Sequence, residues 1–236
     1  MRIDLPTALR FVPPVRFLFA FLALTSFLRA AVPLDLAAAL QTFRSDAPHG
    51  WSFTLTTVAE GKSTVERSDA AKPDFDRWSL VQKDGRAPGP DDLRDYAEAR
   101  SRRSRGGTAP KLAEQFDPGS FETISITEER ATYRCRLRPG EARDNTASFL
   151  RATVVLHKPT QTIESIELTN ISTFHPAFGV TITEMRTLMT YSLPDAEKPS
   201  LPQLVSTRVR GTAFIFKSLD AEMKVTFTEY TLPKKR

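Results

Sequence analysis

The stretch Ala221-Glu-Met-Lys-Val-Thr-Phe-Thr-Glu-Tyr230 carries the clearest pattern in the chain. Its apolar residues Met223, Val225 and Phe227 alternate with polar ones, and a period of two is typical of a strand with one buried face. Antiparallel sheets contain such strands because one of their faces can meet water. The pattern therefore predicts a half-buried antiparallel strand.

Nine further stretches rich in β-branched and aromatic residues precede this strand. Turn signals such as Glu60-Gly61, Asp84-Gly85 and Pro139-Gly140 lie between them. The stretches cover residues 51–58, 63–68, 77–82, 121–127, 131–138, 149–157, 162–170, 178–192 and 204–217. About ten strands joined by short turns predict a mainly β fold, a large curled antiparallel sheet or unclosed barrel.

Two helices interrupt the strands and are expected to cover the sheet. Residues 32–44 place apolar side chains at helical spacing. Residues 90–103 begin with Pro90 and acidic residues, end in arginines and are followed by Gly106-Gly107, all of which favour a helix with these ends.

Residues 1–31 form a segment of another kind. Arg2, Arg10 and Arg16 lead into a mostly apolar run at 17–28, which is the layout of an export signal. The run is shorter than the ~20 residues that span a bilayer as a helix. We predict a signal peptide at 1–31, a single β-rich domain at 32–236 with a helical insertion near 90–105, and a periplasmic location. A retained membrane anchor stays open, because the residues before the expected cleavage site include Leu28 and Arg29.

The charge balance gives no support for nucleic-acid binding. The chain has 33 basic and 28 acidic residues, and removal of residues 1–31, with four basic residues and one acidic, leaves 29 against 27. Nucleic-acid binding needs a basic face on the folded domain. We therefore predict no nucleic-acid partner.

No catalytic or cofactor motif is present in the sequence. The single cysteine, Cys135, is expected to be a buried thiol, and His49, His157 and His175 lack the spacing of a metal site. We predict a protein that is not an enzyme and holds no cofactor or metal. An enzyme built from scattered residues stays open as a third alternative.

The end of the second helix carries a basic cluster next to two aromatic residues. Arginines there either complement the helix dipole or contact phosphate or an anionic lipid. Trp78 either packs in the sheet or stacks on a ligand. The predicted rim of a ligand pocket consists of Trp78, Tyr96, Arg102, Arg103 and Arg105.

Three stretches resemble a family of exported bacterial proteins to which no activity is assigned. They are Asp76-Arg-Trp-Ser-Leu-Val-Gln-Lys-Asp-Gly-Arg-Ala-Pro88, Phe174-His-Pro-Ala-Phe-Gly-Val180 and Val209-Arg-Gly-Thr-Ala-Phe-Ile-Phe-Lys-Ser-Leu-Asp220. The resemblance implies a periplasmic protein and supplies no catalytic residues.

The order of elements is similar to that of the periplasmic lipoprotein carriers of the LolA and LolB type, whose unclosed barrels hold acyl chains. This likeness of layout implies non-enzymatic binding of a lipid, another amphiphile or an acylated protein, with peripheral membrane contact through the arginine loop. The alternative is a cell-envelope module that binds or assembles with another envelope protein, through sheet edges or residues 194–202, without a small-molecule ligand.

Overall fold

The computed structural model describes residues 32–103, 112–139, 146–214 and 217–232, which are mostly strand. The predicted signal peptide at 1–31 lies outside them. The helices are α1 (Leu34–Thr42), α2 (Pro90–Arg103) and the single turn α3 (Leu112–Gln115). The strands are β1 (Ser52–Ala59), β2 (Lys62–Ser68), β3 (Trp78–Lys83), β4 (Glu122–Ile126), β5 (Arg130–Arg136), β6 (Leu150–His157), β7 (Thr162–Asn170), β8 (Phe174–Ala177), β9 (Val180–Tyr191), β10 (Pro202–Ala213) and β11 (Lys217–Thr231).

These strands form one antiparallel sheet. Their order is β3-β2-β1-β11-β10-β9-β7-β6-β5-β4, and the short β8 pairs with β9. The first and last strands lie side by side as the third and fourth strands from the β3 edge, and Leu55 is opposite Phe227. Within the described ranges β3 and β4 are the two edges, so the sheet curls without closing into a barrel. The predicted mainly β fold with two covering helices is confirmed.

Both covering helices lie on the same side of the sheet, which we call the helix-bearing face. Side chains directly opposite each other on paired strands point to the same side. One row on this face crosses ten strands through Lys83, Thr64, Thr57, Val225, Val205, Met189, Ile166, Val154, Tyr133 and Thr123. α1 packs near the β5–β7 end of this row, and α2 packs over β2 and β3 at the other.

The space beneath α1 is filled by an apolar core. Leu36 of the helix is fully buried, and the hydroxyl of Tyr133 donates a 2.7 Å hydrogen bond to Asp35. The core consists of Leu36, Ala39, Leu40, Phe116, Phe121, Ala131, Tyr133, Cys135, Ala152, Val154, Leu156, Ile163, Ile166 and Tyr191. Removal of this apolar surface from water is the main force that holds α1 on the sheet.

The structure contains three short elements that the sequence did not predict: β8, α3 and a 3-10 turn at Thr146–Phe149. β8 includes Pro176, which lacks an amide hydrogen and argues against a strand, and it pairs with β9 only through Phe174 and Ala177. The single turn α3 is too short for a helical pattern. The ten predicted strands are all present, and the last one begins earlier than expected, at Lys217.

Candidate functional site

The middle of the helix-bearing face is packed less completely than the part beneath α1. Val154 and Ile166 are fully buried under the helix, whereas Val205 and Val225 of the same row remain partly open to solvent. The strands β1, β11, β10 and β9 span roughly 14 Å here, because neighbouring strands lie about 4.8 Å apart. We call this half-buried strip between the helices, with Leu55, Phe227, Val225, Val205 and Met189, the apolar trough.

The connection from α1 to β1 borders one end of the trough. Phe43 packs edge-on against Tyr191 with ring centroids 4.9 Å apart, and Ala47 lines a groove together with Phe53 and Phe227. This groove is open and has a volume of about 450 Å³. Small-molecule sites in proteins have volumes of about 300–1,000 Å³.

Aromatic side chains surround this groove. The ring centroid of Phe53 lies 5.5 Å from that of Trp78, 5.9 Å from that of Phe227 and 5.6 Å from that of Tyr230. β11 has an extra residue relative to β1 at this point, and Glu229 adopts a φ of 54°. This bulge places Phe227 and Tyr230, three positions apart, beside the same ring.

A polar wall separates the trough from α2. The guanidinium of Arg100 lies 4.0 Å from the ring centroid of Trp78, within the range of a cation–π contact. Lys83 donates a 2.6 Å hydrogen bond to Asp92. That bond lowers the pKa of Asp92 and raises the pKa of Lys83. α2 is therefore attached to β3 largely by charged contacts.

A buried carboxylate lies behind this wall. Glu66 is 5% exposed and is directly opposite Leu55 of the trough. No hydrogen-bond donor in the described part of the chain reaches its Oε1 atom. Glu66 lines a cavity of about 170 Å³ together with Leu80 and Tyr96. An acceptor buried without a donor is costly, so the site is suited to a ligand that brings one.

Of the five residues of the predicted rim, the structure describes the side chains of two, Trp78 and Tyr96. Trp78 borders the groove and Tyr96 lines the smaller cavity, and Arg100, which lines that cavity and contacts Trp78, connects the two. Arg102 and Arg103 belong to the last turn of α2, but their side chains lie outside the description. Arg105 also lies outside the described residues.

The sequence did not predict several residues of this site, namely Phe53, Glu66, Arg100 as the partner of Trp78, Phe227 as a groove residue and Tyr230. The alternation in β11 placed Phe227 on the apolar face. It gave no information on the register with β1, which is what brings Phe53 to Phe227.

The side chain of Cys135, the single cysteine of the chain, lies in the apolar core beneath α1. Cys135 is 1% exposed, and burial, with a smaller contribution from Asp117, raises the pKa of its thiol to about 12. A thiol in this state is a poor nucleophile. No group of three His, Cys, Asp or Glu side chains suited to a metal ion occurs in residues 32–103, 112–139, 146–214 or 217–232.

Two of the stretches that carried the family resemblance meet in the structure. The amide of Phe214 donates a 2.6 Å hydrogen bond to the carbonyl of Gly179. A Cβ atom on Gly211 would lie 1.9 Å from the carbonyl oxygen of Thr181, so only glycine fits there. These contacts hold β9 and β10 together as neighbouring strands.

Comparisons with models of protein families, with curated proteins and with solved structures found no match to this chain. The helices in the described part of the chain are too short or too polar to cross a bilayer.

Proposed function

We propose that the protein binds an amphiphile, such as a lipid or the acylated end of a lipoprotein, without catalysing a reaction. The apolar chain would lie in the trough, and the polar group would lie at the wall formed by Arg100 and Trp78, with Glu66 behind it. The observation that carries this proposal is the half-buried row through Val225 and Val205, which continues into a filled core under α1.

The contrast in burial along this row supports a ligand. Extended apolar patches that stay open on a protein surface commonly mark binding sites. The trough is bounded by α1, α2 and the connection near Ala47. A chain placed there would extend the core that α1 completes at the other end.

The polar wall supports a ligand with a hydrogen-bonding head group. Arg100 can donate to phosphate or carboxylate oxygens. Glu66 can accept from a hydroxyl or ammonium group. The likeness to the lipoprotein carriers is one of element order in the sequence, and no solved structure matches, so the proposal rests on the trough.

A pair of neighbouring substitutions tests the trough. Val205 lies in the trough and Ser206 lies on the opposite face of the same strand. Val205→Glu should weaken binding of a fluorescent fatty acid about tenfold or more, because a charge would face the apolar chain. Ser206→Glu should change the affinity less than about twofold, because it lies opposite Lys224.

Native mass spectrometry of the protein purified from a bacterial envelope, with lipid extraction of the same sample, identifies a natural ligand. A bound mass of lipid size that is lost on extraction is the expected result. Equal effects of the two substitutions, together with a bare protein mass, would contradict the proposal.

A second candidate is an envelope interaction module, and the edge strand β4 favours it. All five residues of β4 are exposed, and Ile124 and Ile126 are 45% and 61% exposed. An open apolar edge can add a strand from a partner. Ile126→Lys should then abolish crosslinking to an envelope protein and leave fatty-acid binding unchanged.

We also propose that residues 1–31 direct export to the periplasm, on the basis of their sequence pattern. Cell fractionation and N-terminal sequencing of the purified protein test this. A chain that starts near residue 32 in the periplasmic fraction is expected, and an intact leader in the membrane fraction would support the retained anchor instead.

A further inference from the structure

A row of arginines crosses the face of the sheet opposite the helices. The strand register places Arg136 opposite Arg151, Arg151 opposite Thr169, Thr169 opposite Arg186, and Arg186 opposite Arg208. The five positions lie on β5, β6, β7, β9 and β10. With strands about 4.8 Å apart, the row is roughly 19 Å long.

The row contains two like-charged pairs in direct opposition. Arg136 faces Arg151 and Arg186 faces Arg208. Like charges directly opposite each other destabilise a sheet. Packing alone gives no reason for two such pairs in one row, whereas an anion lying across them would remove the repulsion.

Carboxylates within the protein neutralise this row only in part. Arg186 binds Glu167. In the described part of the chain Arg136, Arg151 and Arg208 form no ion pair, and the Nε atoms of Arg151 and Arg208 are buried without an acceptor. Glu222 is opposite Arg208 in register, yet no ion pair forms between them.

The neighbouring positions differ from the row. Arg210, two residues beyond Arg208, is held by Glu184 at 3.3 Å and by Asp220 at 3.7 Å. On the other side Glu167 and Leu188 occupy the next row. That next row also carries Arg134 opposite Thr153 and Lys224 opposite Ser206. The arginine row therefore has acidic or apolar neighbours along its middle and one further arginine beside its β5 end.

We propose that this row binds a linear polyanion, a polymer with phosphate-like charges repeating along a single strand. Guanidinium groups bind phosphate oxygens through paired hydrogen bonds. A line of charge with acidic and apolar neighbours along its middle fits an extended chain better than the broad surface of an anionic membrane. The site is on the opposite side of the sheet from the trough, so it is independent of amphiphile binding.

The test uses linear inorganic polyphosphate as the probe, with affinity measured by calorimetry at several salt concentrations. The unaltered protein should bind, with an affinity that falls as salt rises. The double variant R151Q/R208Q should bind about tenfold more weakly or worse, with a shallower dependence on salt. The control R210Q removes an arginine that is already paired and should change the affinity less than about threefold.

Several outcomes would overturn the proposal. One is no binding of polyphosphate by the unaltered protein, and another is an equal loss in R210Q and in the double variant. Binding to vesicles of phosphatidylglycerol and phosphatidylcholine, lost in the double variant, without binding to polyphosphate would assign the row to a lipid surface. If the double variant does not fold, R151K/R208K takes its place, because it keeps both charges but cannot form the paired hydrogen bonds of a guanidinium group. Its affinity for polyphosphate should fall, by less than the roughly tenfold loss expected for R151Q/R208Q. An unchanged affinity in R151K/R208K would contradict recognition by the guanidinium groups.

Discussion

A helix covers the sheet at each end of the helix-bearing face, but the contacts between helix and sheet differ at the two ends. Under α1 the contact is an apolar core in which Leu36, Leu156 and Ile166 are fully buried, with an open pocket of about 330 Å³ beside the end of the helix. Under α2 the contact consists of the Lys83–Asp92 ion pair, a cavity and the buried carboxylate of Glu66.

This difference assigns stability to one end of the sheet and the capacity to open to the other. An apolar core resists opening because separation exposes its whole surface to water. A charged contact next to a cavity can open at lower cost, since water solvates the separated charges. The α1 end thus supplies stability, and the α2 end is the part that we expect to adapt to the ligand proposed for the trough.

The largest expected effect distinguishes the two ends by their packing. Leu156→Ala in the α1 core should lower the free energy of unfolding by about 2–5 kcal/mol. Leu80→Ala beneath α2 should lower it by about 1–2 kcal/mol, because the adjoining cavity already leaves the site loosely packed. Urea unfolding measures both values. Equal losses would mean that the two ends are packed alike.

A smaller effect of opposite sign is expected at Glu66. Glu66→Leu removes an acceptor that has no donor and should raise the free energy of unfolding by about 1 kcal/mol. The same change should weaken binding of an amphiphile that carries a hydroxyl or ammonium group. The exposed Glu222→Leu should shift the unfolding free energy by less than about 0.5 kcal/mol. A loss of stability in Glu66→Leu would show that the carboxylate is well solvated or paired in the folded protein.

The smallest effect concerns pH and the attachment of α2. The pKa of Asp92 is lowered from 3.8, so its contribution to stability is complete above about pH 3.8 and is lost as the pH falls through the lower folded value. The pKa of Lys83 is raised from 10.5, so its contribution is complete below about pH 10.5 and is lost as the pH rises through the higher folded value.

Fluorescence of Trp78, measured in a Trp51→Phe background, reports on this attachment because Arg100 of α2 lies over its ring. Emission should change at both extremes of pH before the protein unfolds. The change in acid should be absent from Asp92→Asn, in which the carboxylate cannot titrate. An acid transition of the same size in that variant would assign it to another group.

The strands could be predicted from the sequence because each one carries its own alternation. The helix at Pro90–Arg103 could be predicted because its start and end signals lie within the helix or beside it. The strand β8 could not be predicted, because Pro176 lacks a backbone hydrogen-bond donor. Its extended conformation depends on pairing with β9.

The sites depend on relations between strands that alternation does not encode. Glu66 is a polar residue in an ordinary strand pattern, and its burial follows from α2 lying over β2. Arg151 and Arg208 are far apart in sequence and join one row only through the register of three strand pairs. Trp78 could be placed near α2 because the connection between them is short.

The pairing of β1 with β11 sets the order in which the sheet can be assembled. Until β11 is available, β1 and β10 each present an open edge, and the remaining strands form two separate pieces, β1–β3 and β4–β10. Contacts between such distant parts of a chain form slowly, because a long loop must close first. Loss of β11 would therefore divide the sheet in two, whereas loss of an edge strand would only shorten it.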